Sequence, residues 1–245
     1  MKILVCISNV PDTTTKITFS NDNTSFNQNG VQFILNPYDE IALARAIELT
    51  DNGNGSVTVI GVGEALIEPT IRKALAIGAT DAVRVNAYPK DAFFVAKQIA
   101  EYAKNENFDL ILTGRESIDF NGAKVAGMIG ELLDIPSVST IKKLTIENLK
   151  AIVEREIEGG KELLEINLPI VAGTAEGVAE WKIPNMRGIM SARTKPLLVI
   201  EPVEVLETSK IVKFETPPPR GTVKLIDAAE AEKLVDLLHS EAKVF

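Results

Sequence analysis

The chain is poor in the residues on which most catalytic and metal-binding sites depend. Its 245 residues include one cysteine, Cys6, and one histidine, His239. A single cysteine excludes an intrachain disulfide and predicts a reducing, cytoplasmic compartment. Without a second histidine or cysteine, zinc sites and Cys-His or Ser-His-Asp catalysis lack their usual residues. His239 itself falls in an acidic amphipathic segment, residues 228–242, which predicts a solvated position near a helix end.

Long apolar runs and an excess of positive charge are also absent. No apolar run reaches membrane-spanning length, and the N-terminal one is cut short by Asn9, Pro11 and Asp12, which predicts a buried strand rather than a signal peptide. The formal net charge of −8 argues against a nucleic-acid groove, because phosphate binding needs clustered Lys and Arg. With no P-loop and no nucleophile-elbow motif, any chemistry would have to come from a bound cofactor.

What the chain does contain is a regular alternation of short aliphatic strands and longer amphipathic helices. This alternation predicts an α/β fold with a doubly wound, mostly parallel sheet covered by helices on both faces. The predicted strands are residues 2–8, 56–62, 82–86 and 109–113, and the predicted helices are residues 38–50, 69–77 and 92–105. A polar stretch, residues 16–35, predicts an inserted hairpin after the first strand.

Gly159 and Gly160 lie between two charged segments, and the pattern predicts an added antiparallel hairpin over residues 151–171. Glycine adopts positive φ without a Cβ clash, so a two-residue loop on this pair would match the twist of the strands. Alternation places Arg155 and Glu156 on opposite faces. From the residues alone, this is an edge hairpin kept soluble by its charge.

Two strand-to-helix crossings are candidate binding sites. At the first, Gly61 and Gly63 form half of a dinucleotide fingerprint, but the third glycine is missing and the carboxylate of Glu64 would repel a pyrophosphate. The glycines therefore predict a tight turn that lets some ligand approach the backbone.

The second crossing begins at Gly114, where an aliphatic strand runs into a polar loop and a helix is predicted to start near Gly122. Doubly wound sheets bind ligands at the carboxyl ends of such strands, with phosphates at free helix N–H groups. Arg115 and Lys124 would add positive charge there. The alternative is a solvent loop in which Arg115 pairs with Asp119.

Two C-terminal features suggest surfaces for other proteins. Residues 183–195 predict a turn followed by a helix with Met186, Ile189, Met190 and Arg193 at helical spacing, which is either a core stripe or an exposed docking element. Beyond them, predicted strands at residues 197–204 and 210–215 lead to a triproline run and a short helix. A triproline run is stiff and extended, which suits an arm lying across another surface.

Several of these segments, spread over nearly the whole chain, resemble the electron-transfer flavoprotein β-subunit family. The hairpin is similar to the family signature over residues 153–171. That signature has a basic and an acidic residue before Gly-Gly, followed by Glu, aliphatic residues and Pro. A small departure follows at Ala172, where an aliphatic residue is commoner in the family. Residues 36–43 resemble its Asn-Pro-aromatic-Asp-Glu segment, residues 70–79 one of its helices, and residues 183–195 its recognition loop.

The loop after Gly114 resembles the family's nucleotide-binding segment through Arg115, Ser117, Ile118 and Asp119. It then departs from the family pattern, because Lys124 stands where Gln is usual and Asn121 where an acidic residue is usual. The resemblance implies AMP in this subunit, or a second FAD as in electron-bifurcating relatives. The nucleotide contacts that it implies are Cys6, Asn36, Pro37, Tyr38, Asp39, Val62, Gly114, Arg115, Ser117, Ile118, Asp119, Asn121, Gly122, Ala123, Lys124 and Val125.

The resemblance further implies an electron carrier subunit rather than an enzyme. FAD would lie mainly in an α subunit, accept electrons from acyl-CoA-type dehydrogenases, as in fatty acid oxidation, and pass them to a quinone-linked oxidoreductase. Arg155 and Glu156 would contact the flavin domain. Docking of dehydrogenases would use Ile183, Pro184, Asn185, Met186, Met190 and Arg193.

The implied organisation is an α/β domain over residues 1–195 and, over residues 196–245, an arm and helix that contact the α subunit. A free-standing adenine-nucleotide sensor built on the same sheet is an alternative. An enzyme that adenylates or hydrolyses a nucleotide is another, although the chain offers it no identifiable base or metal cluster.

Overall fold

The computed structural model describes residues 1–51, 53 and 55–245. Contacts divide the chain into two compact units, one formed by Met1–Thr18 with Asn27–Ile211 and the other by Phe19–Phe26 with Val212–Phe245. The predicted boundary after residue 195 separates the α/β domain from the arm expected to contact another subunit, and it stays a prediction. Within the described part of the chain, no helix has the length and apolar character needed to cross a membrane.

Among the described residues, the first unit contains eleven strands and five α-helices. Its strands are β1 Lys2–Cys6, β2 Asn9–Pro11, β3 Phe33–Leu35, β4 Ser56–Val62, β5 Asp81–Val85, β6 Leu110–Gly114, β7 Ser137–Glu147, β8 Lys150–Ile157, β9 Gly160–Asn167, β10 Ile170–Thr174 and β11 Leu197–Ile200. Its helices are α1 Pro37–Thr50, α2 Glu68–Ile77, α3 Ala92–Ala103, α4 Val125–Leu133 and α5 Met186–Ala192. The four strands and three helices predicted between residues 2 and 113 are confirmed, each end within two residues.

The strands form a nine-stranded sheet in the order β11-β5-β4-β1-β6-β10-β7-β8-β9. All neighbours are parallel up to β7, and β8 and β9 add an antiparallel hairpin. From β1 the chain builds outward through β4 to β5 and then crosses back to place β6 on the other side of β1. The predicted doubly wound, mostly parallel sheet is confirmed, and its topological switch point lies between β1 and β6.

The alternation of side chains along β1 builds two cores, one on each face of the sheet. Ile3 and Val5 are buried in a cluster with apolar residues of α1 and α2. Leu4 and Cys6 point the other way, into a cluster with residues of α3 and α4. Each such side chain, fully withdrawn from water, contributes roughly 1.5–3 kcal/mol. Burial on both faces explains why β1 is continuously apolar rather than alternating.

The hairpin of β8 and β9 differs from the prediction in its loop. Ile157 pairs with Gly160, so the loop consists of Glu158 and Gly159 rather than Gly159 and Gly160. Only Gly159 of the two glycines has a positive φ, at 81°. The register is fixed by charged cross-strand partners, because Arg155 pairs directly with Glu162 and its Nε lies 2.5 Å from that carboxylate.

The inserted stretch over residues 16–35 is less regular than predicted. Phe33–Leu35 pairs antiparallel with Asn9–Pro11. In the second unit, Phe19 and Phe26 form an isolated antiparallel bridge. The polar sequence between them supplies turns rather than strands.

The strand predicted over residues 210–215 is wrong. Residues 201–227, all of them described, form neither helix nor strand. A strand needs a neighbouring backbone that satisfies its N–H and C=O groups. At the start of this segment, a side chain satisfies backbone groups instead. The amide of Gln98 on α3 donates to the carbonyl of Val203 (2.9 Å) and accepts from its N–H (2.8 Å).

The second unit contains a 3₁₀ turn at Ala228–Glu230 and helix α6, Glu232–Ser240. Phe19 and Phe214 stack within it, with ring centroids 4.9 Å apart. His239 lies in the last turn of α6, is exposed, and its Nδ1 is 2.9 Å from the carbonyl oxygen of Phe245. The predicted solvated helix-end position of His239 is confirmed.

Candidate functional site

A cavity of about 570 Å³ opens at the switch point of the sheet. It lies outside the carboxyl ends of β1, β4 and β6 and beside the N-terminus of α4, the position at which doubly wound sheets bind ligands. Of the residues implicated by sequence, the following line it: Cys6, Asp39, Val62, Gly114, Arg115, Ser117, Asp119, Gly122, Ala123, Lys124 and Val125.

Asp39 joins the two strands that flank the switch point. It is buried, and its two carboxylate oxygens accept hydrogen bonds from the backbone N–H of Ser8 (2.7 Å) and of Gly114 (2.9 Å). Burial raises the pKa of Asp39 to about 7, although these hydrogen bonds favour the carboxylate and oppose the shift. The side chain therefore fixes the floor of the cavity.

Gly114 is required at the end of β6 because α1 begins directly against it. A Cβ at this position would lie 2.4 Å from Oδ1 of Asp39 and 2.7 Å from Cβ of Tyr38. The absence of a side chain lets the end of the strand approach the first turn of the helix, and this approach makes the Asp39 hydrogen bond possible.

Asn36, Pro37, Tyr38, Ile118 and Asn121 do not line the cavity. Asn36 is fully buried, and its side chain donates to the carbonyl of Glu116 (2.9 Å) and accepts from the N–H of Ile118 (3.2 Å). The Tyr38 ring lies 5.0 Å below the Arg115 guanidinium. Pro37 begins α1, and the N–H of Asn121 donates to the carbonyl of Ser117 (2.8 Å). These residues hold the loop that follows Gly114.

The pairing of Arg115 with Asp119, which belonged to the alternative of a solvent loop, is not formed. Arg115 pairs instead with its neighbour Glu116, at 2.8 Å, and Asp119 accepts the N–H of Phe120 (2.9 Å). Positive φ angles at Asn121 (49°) and Ala123 (50°) then bring the chain into α4. Lys124 is exposed at the N-cap position of α4, where an anion would also meet the free N–H groups of the first turn.

The two glycines of the first crossing make room for a neighbouring side chain, and their predicted role of letting a ligand approach the backbone stays a prediction. The space beside both is filled by Ile67, since Cβ atoms at Gly61 and at Gly63 would each come within 2.9 Å of that side chain. The glycines thus make room for the apolar packing of a short 3₁₀ turn, Ala65–Ile67. Gly63 and Glu64 nevertheless line the cavity.

Sequence reasoning missed one wall and the mouth of the cavity. The wall comes from α3 and the loop before it, including Tyr88, Asp91 and Val95, and Leu66 and Phe120 also belong to the lining. Leu66, Tyr88 and Phe120 are 58%, 60% and 69% exposed, so they form an apolar rim. No local motif marks these residues, because separate loops bring them together.

Burial also decides the state of the single thiol. Cys6 lies at the end of β1 in the cavity wall, and burial, reinforced by the nearby charge of Asp39, raises its pKa. A thiol with a raised pKa is a poor nucleophile at neutral pH. Cys6 therefore acts as a small apolar side chain.

Arg155 and Glu156, the residues implicated in flavin contact, form ion pairs within the chain. Arg155 pairs with Glu162 across the hairpin, and Glu156 lies 3.7 Å from Lys142 on β7. Lys161 also contacts an acidic residue across the hairpin, with its Nζ 2.7 Å from the carboxylate of Glu154. The contact of Arg155 and Glu156 with a flavin domain stays a prediction.

The segment implicated in docking is exposed. Met186 and Met190 on α5 are 73% and 68% exposed, and Ile183 just before the helix is 76% exposed. Asn185 caps the helix by accepting the N–H of Gly188 (2.8 Å), as the Pro184-Asn185 turn predicts. Of the two interpretations of the stripe, the core interpretation is wrong: only Ala192 of α5 is buried.

Fold and cavity together define the class of this protein: a doubly wound α/β domain with a ligand-sized cavity at its switch point. A model of the electron transfer flavoprotein domain matches residues 24–205. The chain is 35% identical to the electron transfer flavoprotein subunit beta of Bacillus subtilis over the full length of both. It is 31% identical to the human subunit beta over 94% of each chain. It is also 30% identical to the acryloyl-CoA reductase electron transfer subunit gamma of Anaerotignum propionicum over 97% of each.

The chain belongs to the electron transfer flavoprotein family, and its full-length similarity is to β subunits. Membership implies electron transfer and pairing with an α subunit. It gives no support to the free-standing sensor, for which neither a partner subunit nor an exposed docking segment would be needed.

Proposed function

We propose that this chain is the β half of a heterodimeric electron carrier that accepts electrons from acyl-CoA-type dehydrogenases and passes them to a quinone-linked oxidoreductase. FAD, carried mainly by the α subunit, supplies the electron-accepting chemistry when bound. The chain itself is no enzyme and works in the cytoplasm. The observation that carries the proposal is the exposed apolar segment of Ile183, Met186 and Met190 on a chain with a switch-point cavity.

Charge supports a docking role for this segment. Residues 181–195 contain Lys182, Arg187, Arg193 and Lys195 and no acidic residue, in a chain of net charge −8. Exposed methionines adapt to a partner's surface, and a local positive charge orients its approach. The relative from Anaerotignum propionicum is named as an electron transfer subunit of an acyl-CoA reductase, which supports an acyl-CoA enzyme as the partner.

AMP is the proposed ligand of the cavity, in a structural role. The donors present fit a phosphate, because the first turn of α4 offers free N–H groups and Lys124 adds a cation. The side chains of Cys6 and Val62 give apolar walls for an adenosine. Asn36 and Asp39 hold the loop and strand ends that shape the site.

A second FAD in place of AMP is the second candidate, as in an electron-bifurcating carrier. The cavity continues to the apolar rim formed by Leu66, Tyr88 and Phe120, which would suit a larger ligand with a second ring system. We also propose that Arg155 and Glu156 orient the flavin domain of the α subunit, and that residues 196–245 contact that subunit.

Co-production with the α subunit tests the carrier function. We expect a stable yellow heterodimer whose flavin absorbance is bleached by a purified acyl-CoA dehydrogenase with its acyl-CoA substrate. A colourless chain that remains monomeric beside the α subunit would contradict the proposal.

Denaturation of the heterodimer, followed by chromatography and mass measurement, tests the ligand. One FAD and one AMP per heterodimer supports AMP in the cavity, and two FAD without AMP supports the second candidate. Lys124→Glu should lower the recovered AMP, because it puts a carboxylate where the phosphate binds. Lys16→Glu, the same exchange at an exposed lysine outside the cavity, is the control and should leave the AMP content unchanged.

A further inference from the structure

Helix α5, which carries the exposed methionines, cannot hold its position by itself. It has seven residues, and isolated helices of this length are unstable in water. Helix α5 packs against α2, and the residues that join the two helices are not the exposed ones. How firmly the docking segment is held therefore depends on this helix pair.

Gly188 is the point of closest approach between the two helices. A Cβ at Gly188 would lie 2.2 Å from the carbonyl oxygen of Ala76, where real Cβ atoms essentially never come under 3.0 Å. Any side chain would thus force α5 away by at least 0.8 Å, the difference between these distances. The obstacle is backbone, which cannot rotate aside.

Two cations cap the helices reciprocally. Arg72 on α2 donates from one guanidinium nitrogen to the carbonyls of Ala192, the last residue of α5, and of Lys195, three residues beyond it, both at 2.8 Å. Lys195 in turn donates from Nζ to the carbonyl of Leu75 in the last turn of α2 (2.9 Å) and to that of Ala79, two residues beyond the helix (2.6 Å). Terminal carbonyls of a helix have no intrahelical partner, and a cation there also complements the helix dipole. Arg72 of α2 therefore caps the C-terminus of α5, and Lys195 in the turn after α5 caps the C-terminus of α2.

We propose that Gly188, Arg72 and Lys195 are positioning residues for docking, which hold α5 on α2 so that Ile183, Met186 and Met190 stand in one arrangement before a partner arrives. This inference rests on the proposed docking role of the segment. A preformed surface binds more tightly than one that must be ordered on association, because the ordering cost is met during folding. None of the three positioning residues needs to touch the dehydrogenase.

The first measurement is amide hydrogen exchange over residues 183–195 in the heterodimer. Gly188→Ala should raise exchange in this segment about tenfold, the equivalent of roughly 1.4 kcal/mol of local opening. Lys195→Met should do the same by removing a cap, and Lys195→Arg, which keeps a cation, should restore most of the protection. Met186→Ala is the matched control: it removes an exposed contact and should leave exchange unchanged.

The second measurement is reduction of the heterodimer by a purified acyl-CoA dehydrogenase at varied heterodimer concentration. Gly188→Ala and Lys195→Met should raise the apparent KM for the heterodimer about tenfold while kcat changes little, because the flavin chemistry is untouched. Met186→Ala should raise the KM as well, through loss of a contact. Lys195→Arg should stay close to the unsubstituted protein.

Unchanged exchange in both Gly188→Ala and Lys195→Met overturns the inference, and so does raised exchange without a change in KM. If Gly188→Ala does not fold, the comparison of Lys195→Met with Lys195→Arg decides. A heterodimer that the dehydrogenase does not reduce, even without substitutions, overturns the proposed function instead. The exchange measurement still decides in that case whether the three residues seat α5.

Discussion

Asp39 and Gly114, 75 residues apart in sequence, are joined by a hydrogen bond of 2.9 Å from the backbone N–H of Gly114 to Oδ1 of Asp39. The same carboxylate accepts the N–H of Ser8 through its other oxygen. One buried side chain thus ties the strand ends on both sides of the switch point to the start of α1. The shape of the cavity depends on this arrangement, and it can be tested.

Gly114→Ala should destabilise the protein by about 1–3 kcal/mol, the usual cost of overpacking. The added Cβ would meet Asp39 at 2.4 Å and the backbone carbon of Tyr38 at 2.9 Å. Urea unfolding measures the change. Gly127→Ala in α4 is the matched control, since a Cβ there meets nothing within 4 Å, and alanine in a helix should instead stabilise by about 0.5–1 kcal/mol. Equal effects of the two substitutions would contradict the close approach at Gly114.

The pKa of Asp39, raised by burial from 3.8 to about 7, predicts a specific pH dependence of stability. Between pH 4 and 7 the folded state holds a proton that the unfolded chain has released, so stability contributed by Asp39 is full below pH 4 and is lost as the pH rises through 7. Asp39→Asn cannot titrate. The difference in unfolding free energy between the two proteins should therefore shift in favour of aspartate as the pH falls, by at most about 1.4 kcal/mol per pH unit.

Chemical denaturation of both proteins at several values between pH 4 and pH 8 gives this difference directly. A constant difference across the range would show that the carboxyl group titrates normally. Only the change of this difference with pH reports the titration of Asp39. Its constant part does not, because the asparagine cannot accept both backbone N–H groups at any pH.

The hairpin loop offers a comparison of adjacent glycines. Gly159 has a φ of 81°, and a Cβ in the left-handed region costs about 1–2 kcal/mol. Gly160 pairs with Ile157 in the ladder, and a Cβ there meets nothing within 4 Å. We expect Gly159→Ala to lower the free energy of unfolding by this amount and Gly160→Ala to change it by less than about 0.5 kcal/mol. Thermal unfolding of the pair checks the register, because a loop with positive φ at both Gly159 and Gly160 would make the two substitutions about equally costly.

Gln98 is predicted to hold the segment after β11. Gln98→Leu removes both partners of Val203 and leaves its N–H and carbonyl unpaired, which should cost about 1–3 kcal/mol. Gln98→Glu keeps an acceptor for the N–H but sets a buried carboxylate oxygen against the carbonyl of Val203, so it should cost at least as much as Gln98→Leu. Amide exchange at Val203 reports the local effect, and protection that is unchanged in Gln98→Leu would show that the clamp contributes nothing.

Local sequence patterns predicted much of the fold because the helix and strand preferences they reflect depend mainly on residues close together in the chain. The apolar runs and helical spacings between residues 2 and 113 were sufficient for four strands and three helices. Gly114 and the polar loop after it correctly indicated the end of the sheet at which a cavity opens. The Pro184-Asn185 turn likewise predicted the start of α5.

The errors concern choices between partners. Arg115 pairs with Glu116 rather than with Asp119, whose carboxylate accepts a backbone N–H of the loop. Residues 210–215 have the apolar content of a strand but no strand beside them. The rim residues Tyr88 and Phe120 meet at the cavity from distant loops, which no spacing reveals.

For this protein, the sequence by itself determined the type and approximate bounds of the early strands and helices, the doubly wound class and the family. Tertiary structure decided the strand order, the register of the β8–β9 hairpin and the exposure of Met186 and Met190. The reason is physical: periodicity specifies which face of an element is apolar, but only the assembled neighbours determine whether that face is covered. Gly188 shows the same limit, since the carbonyl of Ala76 that makes it necessary lies on another helix, more than a hundred residues away in sequence.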